Sequence, residues 1–382
     1  MKITDVETIV FRAGRAKDYG TRWGYGVPPQ LWASLPGPER ETYAALTRIA
    51  TDEGVEGYCL GGVSERVRAL LVGENPLDRE RLWQWMYAHK GLSEGEIGVA
   101  DMALWDLAGR LTKLPVHKLM GGCRERVKAY ASTYPNMGPP EVYADHAEAC
   151  KKQGYKAYKI HAYIYFDPLR NKPAPDTPSF PKEDVAVCRA VRERVGDEMV
   201  LMLDPWGVYD FEEALYVGRE LEKLNFHFLE HPMLEARIEP YVRLCRELKI
   251  AICSPELPGG NLYTRAEWIL RGASDISRTD VGHGGLTPCK KTVDLCEAFG
   301  VKCEIHGGGW GNIHIHGATS PRTVEYYERG LLHPDLDYEV PPPYLREICD
   351  PMDKEGNVII PQKPGLGMDI NWDYIEANRV NR

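Results

Sequence analysis

Two hydrophobic rhythms divide the chain. Through KITDVETIVF and again through ETYAALTRIATDEG, apolar and polar residues alternate, which predicts two arms of an antiparallel meander within about residues 1–55. Between them lies GRAKDYGTRWGYGVPP, rich in glycine and aromatics. That is loop chemistry, and it predicts either a surface connection or a lid over a site. Residues 93–119 switch to apolar residues recurring at three and four: Ser93 and Glu96 form a capping box at the start, and Gly121 and Gly122 end the run. Strands followed by helix predict an α+β domain over residues 1–126.

From residue 127 short apolar runs alternate with amphipathic helical segments. The strand candidates are VKAYAS, KAYKIHAY, MVLMLD, FHFLE, IAICSPE, DISRTD and VKCEIH, with a further short one before Glu328. Continuous apolar strands separated by helices mean a parallel sheet, and seven or eight such units suit a closed β/α barrel. The expected fold is α/β: a modified (β/α)8-type barrel of the (β/α)7β form over residues 127–349, with an α+β capping domain. Residues 350–382 leave the rhythm and are expected to return to the capping domain.

The barrel strands end in a ladder of acids. MVLML closes on Asp204, FHFL on Glu230 and IAICSP on Glu256, each 26 residues from the last, and the next two units carry Asp280 and His306. Strand C-termini form one rim of a barrel, where active sites are built. Three carboxylates brought together there repel one another unless a cation joins them, and all-oxygen donors suit a hard ion such as Mg²⁺.

On KAYKIHAY, Lys159 and His161 share one face while Tyr158 and Ile160 share the other, which suits packing under helices. Lys159 therefore points into the barrel. A depressed pKa there would make it a proton-transfer base; the other reading is a salt bridge to the metal carboxylates. His306 beside Asp280 reads as an oriented, basic imidazole, with His314 and His316 as structural histidines.

Composition narrows the classes. The 382 residues carry 47 basic and 56 acidic side chains, a net charge of −9, which argues against nucleic acid as a partner. No run of 18 apolar residues suggests a membrane span, and the start of the chain lacks a signal-peptide pattern. The ten cysteines form no CxxC pair and read as buried free thiols in a reducing, cytoplasmic compartment.

Together Lys159-Ile-His161, Asp204, Glu230 in EHP, Glu256, Asp280 and His306 resemble the enolase superfamily, within it the mandelate racemase group. The run ALWDLAGRLTKLPVHKLMGG and the closing PGLGMDINWD extend the resemblance over nearly the whole chain. The resemblance implies one Mg²⁺ per subunit on Asp204, Glu230 and Glu256. It makes Lys159 one base and the His306–Asp280 pair the other, and has Glu328, or alternatively Glu325, hydrogen-bond the substrate carboxylate. Two positions depart from the family pattern: His161 replaces a second lysine, and Trp206 stands where a polar residue is common. A neutral His161 would be a hydrogen-bond donor or acid, and Trp206 a pocket wall.

The activity this implies is dehydration of a sugar acid, an aldonate or aldarate, to a 2-keto-3-deoxy acid. The alternatives are a racemase or epimerase of a 2-hydroxy acid, and a decayed sugar-acid-binding protein. Loop residues Tyr19, Arg22, Trp23 and Tyr25 are expected to sense the far end of the substrate, Arg22 by pairing with a second carboxylate. A homo-oligomer is expected.

Overall fold

The structure, a computed structural model, describes residues 1–17, 19, 26–34, 39–161, 163–167, 172–173 and 177–380. Of the expected loop residues, Arg22, Trp23 and Tyr25 lie outside this set and Tyr19 within it.

Alternation builds the first sheet. β1 (Ile3–Lys17) and β2 (Glu39–Thr51) pair antiparallel, with Val6 opposite Ile49, and β3 (Glu56–Leu60) adds to β2. The inward residues Ile3, Val6, Ile49 and Cys59 pack on α1 (Glu65–Leu71), α2 (Arg79–Ala88) and α3 (Glu94–Thr112). The close approach of β3 to α3 requires glycine at 57, where a Cβ would fall 2.6 Å from Leu107 Cβ. β1 runs through Gly14–Lys17, so the expected loop begins later than its glycine suggested. The α1–α2 pair, without a clean helical period, was not foreseen.

The Ser93–Glu96 capping box forms as expected. The predicted single helix over 93–119 does not. α3 stops at Thr112, Lys113 turns left-handed at φ 60°, and Pro115 precedes the separate α4 (Val116–Leu119). Proline disfavours helical geometry in the residue before it, which is why the helix breaks there.

Eight parallel strands follow: β4 (Arg126–Thr133), β5 (Ala157–His161), β8 (Val200–Asp204), β9 (Phe228–Glu230), β10 (Ala251–Cys253), β11 (Ile276–Thr279), β12 (Lys302–Ile305) and β13 (Tyr326–Leu332). The short β6 (Phe166–Asp167) and β7 (Lys172–Pro173) form a separate hairpin. Helices α5 (Pro140–Lys152), α6 (Pro181–Val195), α7 (Phe211–Lys223), α8 (Glu239–Glu247), α9 (Asn261–Arg271), α10 (Leu286–Phe299) and α11 (Trp310–Gly317) fill the connections. The strand order is β12-β11-β10-β9-β8-β5-β4-β13, and the end strands β12 and β13 come to lie against each other. Seven helices between eight strands give the (β/α)7β form.

Outward residues Tyr158, Ile160, Leu201, Leu203 and Ile252 are buried under the helices, as the period of two predicts. Inward, Tyr130, Met202, Phe228, Cys253 and Ile276 fill the lower barrel. The C-terminal segment touches both halves: β14 (Asn357–Ile359) pairs with β4, Leu366 N–H donates to Asp106 of α3, and α12 (Trp372–Asn378) lies near β1. Seven cysteines are buried and free, but Cys123 is exposed and Cys245 and Cys349 half-buried. No helix among the described residues is long and apolar enough to cross a membrane.

Candidate active site

One layer above the apolar plug, the inward positions turn polar: Ser132, Lys159, Asp204, Glu230, Arg278, Glu304 and Glu328, all buried. Lys159 Nζ donates to Glu230 Oε2 at 2.9 Å, and lies 2.7 Å from Glu328 Oε1 and 3.5 Å from Asp204 Oδ2. Burial alone would press this ammonium down, but the charges of Glu230 and Glu328 outweigh it and hold Lys159 well above the ordinary lysine value. This corrects the expected depression: a lysine enclosed by three carboxylates keeps its proton. Glu328 carries four bonds, from Ser132 Oγ and Lys159 on one oxygen and from Arg278 and Gly307 N–H on the other. Glu325, its alternative, faces Lys302 and Lys128 at the opposite end of the strand and is not part of this layer.

At the rim, Asp204 Oδ2 accepts from His161 Nε2 at 2.9 Å, and Asp204 Oδ1 from Trp206 N–H. His161 Nδ1 donates to the Thr133 carbonyl at 2.8 Å. Both ring nitrogens thus face oxygens of the protein. Trp206, at φ 59°, sets its ring 5.4 Å from the His161 ring.

Glu256 stands three residues past β10. Its Oε2 accepts from His231 Nδ1 at 2.8 Å and its Oε1 faces His306 Nε2 at 2.9 Å, while its N–H is held by Glu235. Oxygens of Asp204 and Glu256 lie within 4.8 Å of each other and of a His231 nitrogen. Glu230, the expected third member, instead turns its oxygens onto Lys159 and Arg278. Burial lowers the His231 imidazole, but the charge of Glu235 and the bond to Glu256 raise it to about 9. Two of the three groups are carboxylates, and oxygen donors suit a hard divalent cation. Burial, with the charges of Asp204 and Glu256 behind it, carries the Glu230 carboxyl well above its ordinary value despite Arg278 and Lys159.

His306 and Asp280 pair as expected, Nδ1 to Oδ2 at 2.7 Å. Gly282 N–H holds the other Asp280 oxygen at 2.6 Å. Burial lowers the His306 imidazole, but the charge of Glu256 and the bond to Asp280 raise it well above the ordinary histidine value. Its side chain is 38% exposed, against 0% for Lys159 and 4% for His161, so His306 alone of the three is open to a ligand. His314 and His316 are buried on α11, away from this rim. His314 Nε2 donates to the Leu366 carbonyl and its Nδ1 accepts His117 N–H.

Tyr19 docks its hydroxyl on the Asp335 carbonyl at 3.2 Å and its ring 4.9 Å from His333, which fastens the end of the N-terminal loop to the segment after β13. Its hydroxyl is thereby committed to protein. Arg278, Glu304 and His231 are unforeseen members of the site. Arg278 links Glu230 to Glu328, and burial lifts Glu304 to about 8.

The family described as Enolase C-terminal domain-like matches residues 142–374, and the Mandelate racemase / muconate lactonizing enzyme N-terminal domain matches residues 37–121. The chain is 39% identical to D-glucarate dehydratase from Agrobacterium tumefaciens, whose crystal structure was solved complexed with magnesium. The TM-score is 0.88, with 100% of both chains covered. Arabinonate dehydratase from Saccharolobus solfataricus is 29% identical over 364 residues, covering 86% of this chain and 89% of that protein. D-galactarolactone cycloisomerase from Agrobacterium fabrum is 26% identical over 362 residues, covering 88% and 91%.

Proposed function

Because this chain belongs to the mandelate racemase / muconate lactonizing enzyme family, in the enolase superfamily, we propose that it dehydrates a sugar acid to a 2-keto-3-deoxy acid with a bound Mg²⁺. The observation that carries this reading is the solvent-exposed imidazole at the rim. His306 is oriented by Asp280 at one nitrogen and presents the other at the carboxylate rim.

Asp204, Glu230 and Glu256 would hold the ion. It would supply Lewis-acid stabilisation of the negative charge that develops on the substrate carboxylate when the 2-proton leaves, the chemistry general to enolase-type sites. Nε2 of His306 takes that proton, and Asp280 stabilises the imidazolium. The C3–O bond then breaks, the departing hydroxyl collects a proton from His306 and leaves as water, and the enol tautomerises to the keto acid. One proton carrier closes this balance. Lys159 and Arg278 hold Glu328 ionised and fix both Glu230 and Glu328 in place, and Trp206 walls the pocket.

Racemisation needs proton carriers on both faces of C2. Lys159 and His161 are buried while His306 is exposed, which supports a single carrier over that alternative. The names of the relatives favour dehydration of aldonates or aldarates, and Arg22 would favour a diacid. The test is a panel of aldonic and aldaric acids incubated with Mg²⁺, with 2-keto acid formation recorded. Lactones belong in the same panel, since ring opening without loss of water would mark a cycloisomerase instead.

A further inference from the structure

α3 reaches the rim from the capping domain. Its first residue, Glu94, places one carboxylate between two barrel loops: Oε1 accepts Gly260 N–H at 2.6 Å, and Oε2 lies 3.0 Å from His283 Nδ1. Gly260 follows Glu256 in the loop after β10, and His283 follows Asp280 in the loop after β11. One side chain of the capping domain thus ties together the loops that carry an acid of the metal cluster and the partner of the proton carrier.

The second loop starts as a tight turn. His283 N–H donates to the Asp280 carbonyl at 3.2 Å, and Gly282 N–H to Asp280 Oδ1 at 2.6 Å. The backbone donor that fixes the Asp280 carboxylate therefore sits one residue before the side chain Glu94 grips. The turn is free by nature: Gly284 and Gly285 take φ of 96° and 103°. α3 and its neighbour remove that freedom. A Cβ at Gly98 would fall 2.9 Å from the Val281 carbonyl, so the helix backbone lies directly on the turn. Asp101 accepts Thr287 N–H at 2.9 Å, and Trp83 Nε1 donates to the Gly284 carbonyl at 2.8 Å.

We propose that Glu94 is a positioning residue for the Asp280–His306 pair, holding the 280–285 turn through His283 so that the Asp280 carboxylate meets the imidazole. Only the kinetic arm of its test rests on the proposed dehydratase reading. Groups that orient a reacting shell typically change activity by about 10–100-fold when removed.

The test uses Glu94→Ala, Glu94→Gln and His283→Ala in the full-length protein, each first checked for a native thermal transition. The structural readout is the His306 Nδ1–H proton resonance in ¹⁵N-histidine-labelled, metal-free protein, assigned by its loss in His306→Asn. Hydrogen-bonded to Asp280, it is shifted far downfield. Glu94→Ala and His283→Ala should broaden it or return it towards bulk. Glu94→Gln, whose amide can still meet both partners, should restore most of it. Where turnover is measurable, kcat should fall about tenfold or more in the two alanine variants with KM little changed. An unchanged resonance in both alanine variants overturns the proposal. If Glu94→Ala does not fold, His283→Ala decides from the barrel side. Should no sugar acid be turned over by the wild type, the dehydratase reading fails while the resonance still judges Glu94.

Discussion

Lys159 on β5 and Glu328 on β13 meet across the intervening β4, with Nζ 2.7 Å from Oε1. The contact joins Lys159 to Glu230 as well, and Arg278 completes a ring of two cations and two carboxylates, all buried. Such a ring lives or dies as a unit. Removing one partner of a buried ion pair leaves a charge uncompensated, at a cost of about 3–5 kcal/mol. Lys159→Ala should therefore lose several kcal/mol of stability, read as a marked fall in the urea midpoint of unfolding at pH 7 at constant slope. A lysine poised only as a base would leave the midpoint near the wild-type value.

Asp280 and His306 should fail together. General acid–base groups contribute about 10²–10⁴-fold, so Asp280→Asn and His306→Asn should each lose kcat on that scale. The double variant should be little worse than His306→Asn, because members of one unit are not additive. Multiplicative losses would separate the two residues.

The acid cluster makes a thermodynamic prediction that needs no substrate. A cation that binds only the folded chain raises its melting temperature with concentration. Mg²⁺ should raise the Tm of chelator-treated protein, and Asp204→Asn or Glu256→Gln should abolish the rise. A wild-type Tm indifferent to Mg²⁺, Mn²⁺ and other divalent ions would leave the three carboxylates without their proposed ligand.

Acid stability depends on histidines remote from the rim. Burial lowers His117 and His314 to about 4 and His316 well below its ordinary value. They stay neutral in the fold while the unfolded chain protonates them below about pH 6.5. The unfolded state then binds more protons, so their contribution falls as pH drops from 6.5 towards 4. Among the described residues neither ring nitrogen of His316 has a hydrogen-bond partner, so His316→Phe loses no such bond and removes one such group. The variant should melt higher than wild type and lose less stability between pH 7 and pH 5. A parallel loss in both proteins would show that His316 does not titrate in this way.

Much of this was legible in the chain. The acids at strand ends recur because each β/α unit has nearly constant length, so Asp204, Glu230 and Glu256 could be placed on one rim without coordinates. The period of two on β5 put Lys159 inside. The same period, counted back from Asp280 and His306, puts Arg278 and Glu304 inside too. That signal is faint, because the polar residues of ISRT and KCEI do not look like core. What the sequence could not carry was pairing: the pKa of Lys159 depends on Glu230 and Glu328 from two other strands, whose charges reverse the effect of burial. His231 follows Glu230 directly and should face away, but φ of 39° swings it onto Glu256. A backbone excursion of that kind leaves no mark in residue spacing.

The most direct measurement follows one aldarate or aldonate substrate by proton NMR in ²H₂O with Mg²⁺. The C2–H signal should disappear as 2-keto-3-deoxy acid forms in equal amount, with both changes stopped by chelation and by His306→Asn. Exchange or inversion at C2 without loss of the 3-hydroxyl, or turnover that survives chelation, would contradict a metal-dependent dehydratase built on the His306–Asp280 pair.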